Sequence, residues 1–316
     1  MEQPEVMVYL MTGFLDSGKS QFLKFTLAQD YFQIDGTTLL LLCEEGEEEY
    51  DAEELKKYGV VIETVDSQEE LTEDLLAELD VKYRPERVVI EYNGMWKVSD
   101  FEKMKLPEGW GIEQKLTTVD ASTFQMYLTN LKPLFVEMVR DAELVLFNRC
   151  TDLKPLAGYR RSVKVVNQGA QIIFEGAEGE IEDIFSDQMP YDLDAPVIKI
   201  EDMDYGIWYV DMMDNPEKYK GKVVEIQGRA RKVKGFPKGE FVLGRSAMTC
   251  CADDITFLGF ICKHMAIEDM KANTWVRARG KVGFEFKRAY RGRGPVITLE
   301  SLEPIQEPED ELVYFN

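Results

Sequence analysis

Up to about residue 180 the chain alternates between two hydrophobic rhythms. Short apolar runs occur at Val6 to Met11, Thr37 to Cys43, Val60 to Ile62, Arg87 to Glu91, Leu116 to Val119, Leu144 to Phe147 and Gln171 to Phe174. Runs of this length that are apolar throughout, rather than at every second position, predict strands covered on both faces. Between them, apolar residues recur at helical spacing: Phe22, Leu23, Phe25 and Leu27 after the first run, then Leu71, Leu75, Leu76 and Leu79 in a helix expected over Gln68 to Leu79 with Ser67 as its cap. Two more helical patterns cover 123–139 and 156–166. Such alternation predicts an α/β fold, a mostly parallel sheet with helices on both faces and ligand residues at the C-terminal ends of the strands.

The rhythm changes between Glu178 and Pro196, where Gly, acids and two prolines replace it. Beyond lie short strand patterns at Val223 to Gln227, Glu240 to Leu243, Phe257 to Cys262, Thr274 to Arg279 and Val296 to Leu299, separated by turn-rich segments such as Phe236-Pro237-Lys238-Gly239. Five strands in this space predict a small closed all-β domain of the OB type. The expected organisation is a first domain over 1–180, a linker over 181–200 and an OB-like domain over 201–316. The acidic end, Glu307 to Glu311, reads as a solvated tail.

At the end of the first predicted strand stands Gly13-Phe14-Leu15-Asp16-Ser17-Gly18-Lys19-Ser20, which fits the phosphate-loop pattern G-x-x-x-x-G-K-[ST] at every fixed position. Glycines at 13 and 18 let successive N–H groups turn inward onto phosphate oxygens at a helix N-terminus. Lys19 would reach the β- and γ-phosphates and the Ser20 hydroxyl would ligate Mg²⁺. The nucleotide-binding set is therefore Gly13, Asp16, Ser17, Gly18, Lys19, Ser20 and, at the helix start, Gln21. Glu44, Glu91, Asp120 and Asn148 end other predicted strands and would converge on the same rim.

Charge sharpens the division into two parts. The net charge is -22, and nearly all of the negative surplus precedes residue 200, whereas 201–316 is close to neutral. An acidic first part disfavours nucleic acid and anionic membranes as its partners. Nothing in the chain is apolar for long enough to insert into a bilayer, the N-terminus lacks a basic signal start, and five cysteines are too few and odd for a disulfide framework. These features predict a reduced, cytoplasmic protein.

The phosphate loop, Cys43-Glu44-Glu45-Gly46-Glu47, Ile90-Glu91-Tyr92-Asn93-Gly94, Val119-Asp120-Ala121 and Phe147-Asn148-Arg149 together resemble the CobW/HypB/UreG family of P-loop GTPases over about residues 5–180. That resemblance implies a P-loop NTPase fold, GTP as nucleotide with ATP as the lesser option, Mg²⁺, and a role as metallochaperone or GTP-driven assembly factor. The family's E-x-x-G motif falls on Glu91 and Gly94, which assigns Glu91 to Mg²⁺ and the attacking water. Its N-E-x-G motif falls on Cys43, Glu44 and Gly46, keeping the Glu44 carboxylate and losing the asparagine. Lys19, Glu91 and Glu44 are then the catalytic candidates, and Ser20, Glu44 and Glu91 the Mg²⁺ ligands. The guanine motif N-K-x-D becomes Asn148-Arg149-Cys150-Thr151-Asp152, with arginine for lysine and one extra residue before the acid. The family's C-x-C-C motif has no counterpart in Glu63-Thr64-Val65-Asp66-Ser67-Gln68. The second half, through Gly244 to Asp254, Trp275-Val276 and Gly294-Pro295, resembles a poorly characterised, permease-associated bacterial family that implies no firm activity.

Cys250, Cys251, Cys262 and His264 could supply a tetrahedral Zn²⁺ site, but adjacent cysteines on a strand face opposite ways and buried free thiols are common, so core packing is the simpler reading. Arg229, Arg231, Lys232, Lys234, Lys287, Arg288, Arg291 and Arg293, with aromatic residues among them, have the composition of a single-stranded nucleic-acid groove. Docking against the acidic first part or against a protein partner fits this near-neutral domain, joined to a strongly acidic one, better. The expected function is Mg²⁺-dependent GTP binding and hydrolysis coupled to a protein client, such as a metalloprotein or a permease-linked system. The alternatives are a non-hydrolysing nucleotide-binding adaptor or sensor and an OB-domain single-strand binder.

Overall fold

The computed structural model describes residues 4–44, 46, 50–150, 156–181, 189–248, 255–308 and 311–313. Contacts divide the chain into two compact units, 1–184 and 185–316. The first contains β1 (Val6–Thr12), α1 (Lys19–Leu27), β2 (Thr38–Leu42), α2 (Ala52–Lys56), β3 (Val60–Thr64), α3 (Glu73–Tyr83), β4 (Arg87–Glu91), α4 (Val98–Glu102), β5 (Trp110–Asp120), α5 (Phe124–Asn130), α6 (Lys132–Arg140), β6 (Leu144–Asn148), α7 (Leu156–Lys164), β7 (Gln171–Gly176) and β8 (Gly179–Glu180). The strands form one sheet in the order β3-β2-β4-β1-β5-β6-β7-β8. Every pairing is parallel except the terminal β7–β8 hairpin.

The uninterrupted apolar runs are explained by two separate cores. Val8, Leu10, Leu39, Leu41, Val88 and Ile90 pack with Leu76, Phe101, Phe135 and Val163, whereas the alternate residues Met11, Leu40 and Val89 pack with Leu23, Leu27 and Leu55. α1 and α2 therefore cover one face of the sheet and the later helices the other. Each fully buried Leu or Ile contributes roughly 1.5–3 kcal/mol relative to exposure, which accounts for apolar residues on both faces of the strand centres, while the buried polar Thr38, Arg87 and Glu91 stand at strand ends. β1 lies between β4 and β5, and the chain leaves it in one direction toward β2 and later returns on the other side. Its C-terminal end is thus the switch point at which α/β sheets open a crevice.

Two helices differ from the sequence expectation. α3 begins five residues later than expected because Thr72, not Ser67, caps it, its side chain accepting from Leu75 N at 3.1 Å. The long pattern over 123–139 is two helices: Leu131 leaves helical geometry at φ -128°, ψ 31°, and Pro133 sits in the first turn of the second.

The second unit contains β9 (Ile198–Lys199), α8 (Tyr205–Asp214), β10 (Val223–Arg231), β11 (Glu240–Met248), β12 (Ile255–Lys263), β13 (Thr274–Lys287), β14 (Gly292–Pro304) and β15 (Leu312–Val313). Its sheet order is β15-β11-β12-β14-β13-β10-β9, and an additional β10–β11 pairing closes five strands into a circuit in which only β12–β14 is parallel. The unit is rich in sheet but not purely β. α8 packs Trp208 against Phe260 at 5.1 Å between ring centroids, and Tyr205 donates to the Leu258 carbonyl at 3.1 Å. Tyr191 and Ile198, expected in a linker, are buried parts of this unit, the first through its hydroxyl contact with Tyr219 and the second in β9.

Of the acidic end, Glu307 and Glu311 stay substantially exposed while both pair with Arg229, and β15 adds a parallel pairing to β11; residues 309–310 lie outside the described residues. Among the described residues no helix is long and apolar enough to cross a membrane.

Candidate functional site

The loop between β1 and α1 has a backbone that its glycines make possible. Gly13 has φ +145° and Gly18, the cap of α1, φ +92°, values L side chains rarely adopt. A Cβ on Gly13 would also lie 2.5 Å from the Thr118 carbonyl. Asp16 sits at φ 58° in the same turn, and the Ser17 hydroxyl meets Thr118 Oγ1 at 2.9 Å.

Lys19 folds back over this loop, its Nζ donating to the Gly13 and Phe14 carbonyls at 2.9 Å each and pairing with the Glu44 carboxylate. The two side chains are 3% and 8% exposed, so an ammonium and a carboxylate are held together out of bulk water. One turn into the same edge, Ser20 Oγ donates to Glu91 Oε1 at 2.7 Å while the Tyr50 hydroxyl donates to the other carboxylate oxygen. Gly94 closes the arrangement. Its N–H donates to Glu44 Oε1 at 3.3 Å, and a Cβ there would stand 2.4 Å from the Gly13 carbonyl, so only glycine lets this segment lie against the phosphate loop.

The far side of the loop is held from β6. Asn148 Nδ2 donates to the Ser17 carbonyl at 2.7 Å, and Asn148 Oδ1 is buried without a partner among the described residues. Arg149 donates to the Asp16 carbonyl at 2.8 Å and to Asp120 Oδ2 at 2.5 Å. The loop, Glu44, Glu91, Gly94, Asp120 and Asn148 thus stand on one connected rim. Glu44 and Glu91 are separated in role: the first is on Lys19, the second beside Ser20. Asp152 lies outside the described residues.

Charge placement sets the chemistry. Burial, followed by the nearby Glu91 and Glu44 carboxylates, pushes the Cys43 thiol up to about 12, and burial pushes the Cys150 thiol up to about 11, so both flank the rim as neutral groups. Burial would raise the Asp120 carboxyl, but hydrogen bonds from Ser122 and Arg149 outweigh it and hold it below the usual carboxylate range. A cleft of about 220 Å³ is lined by Asp16, Gly18, Lys19, Ser20, Gln21 and Glu91 among others. The donor set fits an anion at the loop amides and Lys19. It also fits a hard divalent cation at the Ser20 hydroxyl and Glu91 carboxylate, both oxygen donors of the kind Mg²⁺ accepts.

Several participants escaped the sequence reading. Tyr50 follows an acidic run that drew attention away from it, and Thr118 is a hydroxyl in a strand end otherwise read as apolar. Tyr127 stacks on Phe14 at 4.3 Å and 12° and so braces the loop from α5. Only Thr118 left a usable signal, a hydroxyl inside a predicted strand two residues before Asp120.

The second unit gathers its candidates differently. Cys250 and Cys251 lie outside the described residues. Cys262 is fully buried with its thiol pushed up by burial, and His264 Nδ1 accepts from Ala266 N at 3.3 Å. No group of three potential metal ligands is assembled among the described residues. Most of the basic residues with described contacts are engaged within the unit: Arg229 by Glu307 and Glu311, Arg231 over the Phe257 ring at 3.5 Å, Lys232 on the Glu268 carbonyl at 3.0 Å, and Lys287 on Glu240 at 2.5 Å.

Comparison with known proteins also divides the chain in two, between 174 and 179, a few residues before the division by contacts at 184. Residues 7–174 match the model described as CobW/HypB/UreG, nucleotide-binding domain, and residues 179–315 match the DUF1980 C-terminal domain. The chain is similar to UPF0703 protein YcgQ of Bacillus subtilis (strain 168), at 22% identity over 117 residues, which is 37% of this chain and 41% of that protein. It therefore spans less than half the length of that relative. Among solved structures it is similar to Zn(II)-bound YjiA GTPase from E. coli, at 17% identity and TM-score 0.42 over 82% of this chain and 89% of that one. It is also similar to the hydrogenase maturation factor HypB from Archaeoglobus fulgidus, at 17% identity and TM-score 0.40 over 55% of this chain and 83% of that one.

Proposed function

The chain belongs to the CobW/HypB/UreG family through its nucleotide-binding domain, and from that premise we propose that it binds and hydrolyses GTP with Mg²⁺ and uses the nucleotide cycle to act on a protein client. The observation that carries this reading is the buried Lys19 ammonium, held over a glycine loop by two neutral carbonyls and one carboxylate. A phosphate can take the place of Glu44 on that ammonium while the loop amides and the N-terminus of α1 provide the rest of the anion site. Lys19 would then stabilise charge on the transferred phosphoryl group. Ser20 and Glu91 would hold Mg²⁺, which when bound neutralises β- and γ-phosphate oxygens. Tyr50 orients the Glu91 carboxylate, and Asn148 fixes the loop against β6 from the base side. The second domain, read as OB-like from its closed five-strand circuit, is the client-engaging part. Metal handling by the client or its assembly is a reading suggested by the family alone.

The test is thermal unfolding of the whole chain with GTP, GDP, ATP and ADP, with and without Mg²⁺, in the native protein and in Lys19→Ala. A ligand at about 100 times its Kd adds roughly 2.7 kcal/mol to the folded state, an upward shift that Lys19→Ala should lose. If no nucleotide shifts the native protein more than the variant, the reading is wrong. Phosphate release from Mg·GTP separates the enzyme from an adaptor: binding without release would reject hydrolysis and leave the adaptor.

A further inference from the structure

We propose that Glu175 selects the base, and that it selects guanine. This rests on the nucleotide reading above and goes on to name the group that discriminates between nucleotides. A second cleft, of about 440 Å³, adjoins the one at the phosphate loop and shares Gly18, Gln21 and Arg149 with it. A nucleotide whose phosphates occupy the loop carries its nucleoside into this second space. The cleft is lined by Phe22 and Phe25 on one side and by Asn148, Glu175 and Ala177 on the other. Phe25 is 64% exposed, an apolar ring available to a ribose or a base face.

The two strand ends that bear the polar groups are fixed against each other. Phe147 pairs in register with Phe174 and stacks on it at 4.9 Å, which sets Asn148 and Glu175 side by side at the same edge. The Cys150 N–H donates to the Glu175 carbonyl at 3.0 Å and ties the following turn to β7. Glu175 is the one carboxylate among the described residues lining this cleft.

Its chemistry distinguishes the purines. Guanine presents N1–H and an exocyclic N2–H side by side, and two carboxylate oxygens accept both. Adenine turns the N1 lone pair toward the same carboxylate, which repels it, and carries only C–H at C2, so neither oxygen finds a donor. A site built to accept two hydrogen bonds rejects a ligand that offers fewer. Guanine choice then does not depend on Asp152, which the extra residue in Asn148-Arg149-Cys150-Thr151-Asp152 moves out of the usual spacing.

The experiment is calorimetric titration of the full chain with the Mg²⁺ complexes of GDP, IDP, XDP and ADP, in the native protein and in Glu175→Gln and Asp152→Asn. Inosine lacks the N2 amino group, so native protein should bind GDP about tenfold or more tighter than IDP. Glu175→Gln offers one acceptor and one donor, which suits the N1–H and C2 carbonyl of xanthine. That variant should lose the preference for GDP over IDP and bind XDP more tightly than GDP, a gain that misfolding does not mimic. An unchanged GDP-to-IDP ratio in Glu175→Gln, an ADP preference in native protein, or a switch to XDP in Asp152→Asn instead would each overturn the assignment. Nucleotide binding with base ratios unaltered in Glu175→Gln removes this inference alone, whereas absence of binding to any of the four removes the nucleotide reading with it.

Discussion

The rim of the first unit and the Asp211 cluster of the second both bury charge, and they bury it in different ways, although the second unit also holds a long-range pair of its own in the buried Arg245 with Asp202. On the rim of the first, the partners of each charged group come from separate strand ends: Lys19 from the loop and from beyond β2, Glu91 from α1 and from Tyr50, Arg149 from the loop and from β5. In the second unit the buried Asp211 accepts from Asn215 Nδ2 at 2.8 Å, Lys218 Nζ at 3.0 Å and the Tyr219 hydroxyl at 2.6 Å, all within eight residues of itself. Tyr219 in turn meets the Tyr191 hydroxyl at 2.7 Å. Partners that are far apart in sequence can be exchanged for a ligand when one loop moves, without loss of the fold. Partners on one helix and its following turn are a lock. Where a buried charge gets its partners therefore says more about function than its burial does, and changes at the two places should have opposite signatures.

The largest expected effect is at the rim. In Gly94→Ala the new Cβ would lie 2.4 Å from the Gly13 carbonyl and 2.7 Å from Phe14 Cα, so backbone must move. Displacement of the loop by about an ångström should lower GTP turnover about a hundredfold, measured as phosphate release. Turnover within a factor of three of the native protein would show that the loop tolerates the shift and that Gly94 is not what holds the two segments together.

Next is the lock. Asp211→Ala strips the Tyr219 hydroxyl and the Lys218 ammonium of a shared acceptor and should destabilise the second unit by about 2 kcal/mol. By calorimetry, the unfolding of that unit should move down while the nucleotide-induced shift of the first stays as it was. If the nucleotide shift disappears as well, the contrast between an exchangeable rim and a self-contained cluster in the second unit fails.

This contrast also explains what could be read from sequence. The phosphate loop and the parallel sheet were legible because the strand centres are apolar on both faces and the glycines at 13 and 18 answer a backbone need. α8 was not, because Tyr205 to Met212 is buried nearly all round and such a segment has no polar face to reveal a helical period. The break at Leu131 was signalled by Pro133 but hidden by continuous apolar spacing on either side. Tyr50 on Glu91 and Arg149 on Asp120 depend on loops whose course the hydrophobic pattern does not specify, so the rim's residues could be named and their pairings could not.

The strap at the end of the chain should matter less. Arg229 is shared by Glu307 and Glu311 at a partly exposed site, and pairs of this kind contribute about 0.2–1 kcal/mol. Glu307→Gln with Glu311→Gln should lower the stability of the second unit by no more than that, and less at high salt. The same double variant bears on the basic surface. If it uncovers binding of single-stranded oligonucleotide that the native chain lacks, the tail occupies a site; unchanged binding marks it as an edge strand held by charge.

The smallest effect comes from Asp120, where the sign can be worked out. Its folded pKa is depressed, so the carboxylate stabilises the fold above the unfolded value of about 3.9 and this contribution is lost as pH falls through the folded value. The difference in stability between native protein and Asp120→Asn should be a few tenths of a kcal/mol at pH 6, because Arg149 is half exposed and the pair is screened. It should close as the pH drops below about 4. A difference that persists to pH 2 would mean that the side chain acts through packing or neutral hydrogen bonds. Because Arg149 also holds the Asp16 carbonyl, removal of the charge at 120 frees a group that anchors the phosphate loop. Nucleotide affinity in Asp120→Asn should therefore fall by more than its stability does, which is the signature expected of a rim whose partners are borrowed from distant strands.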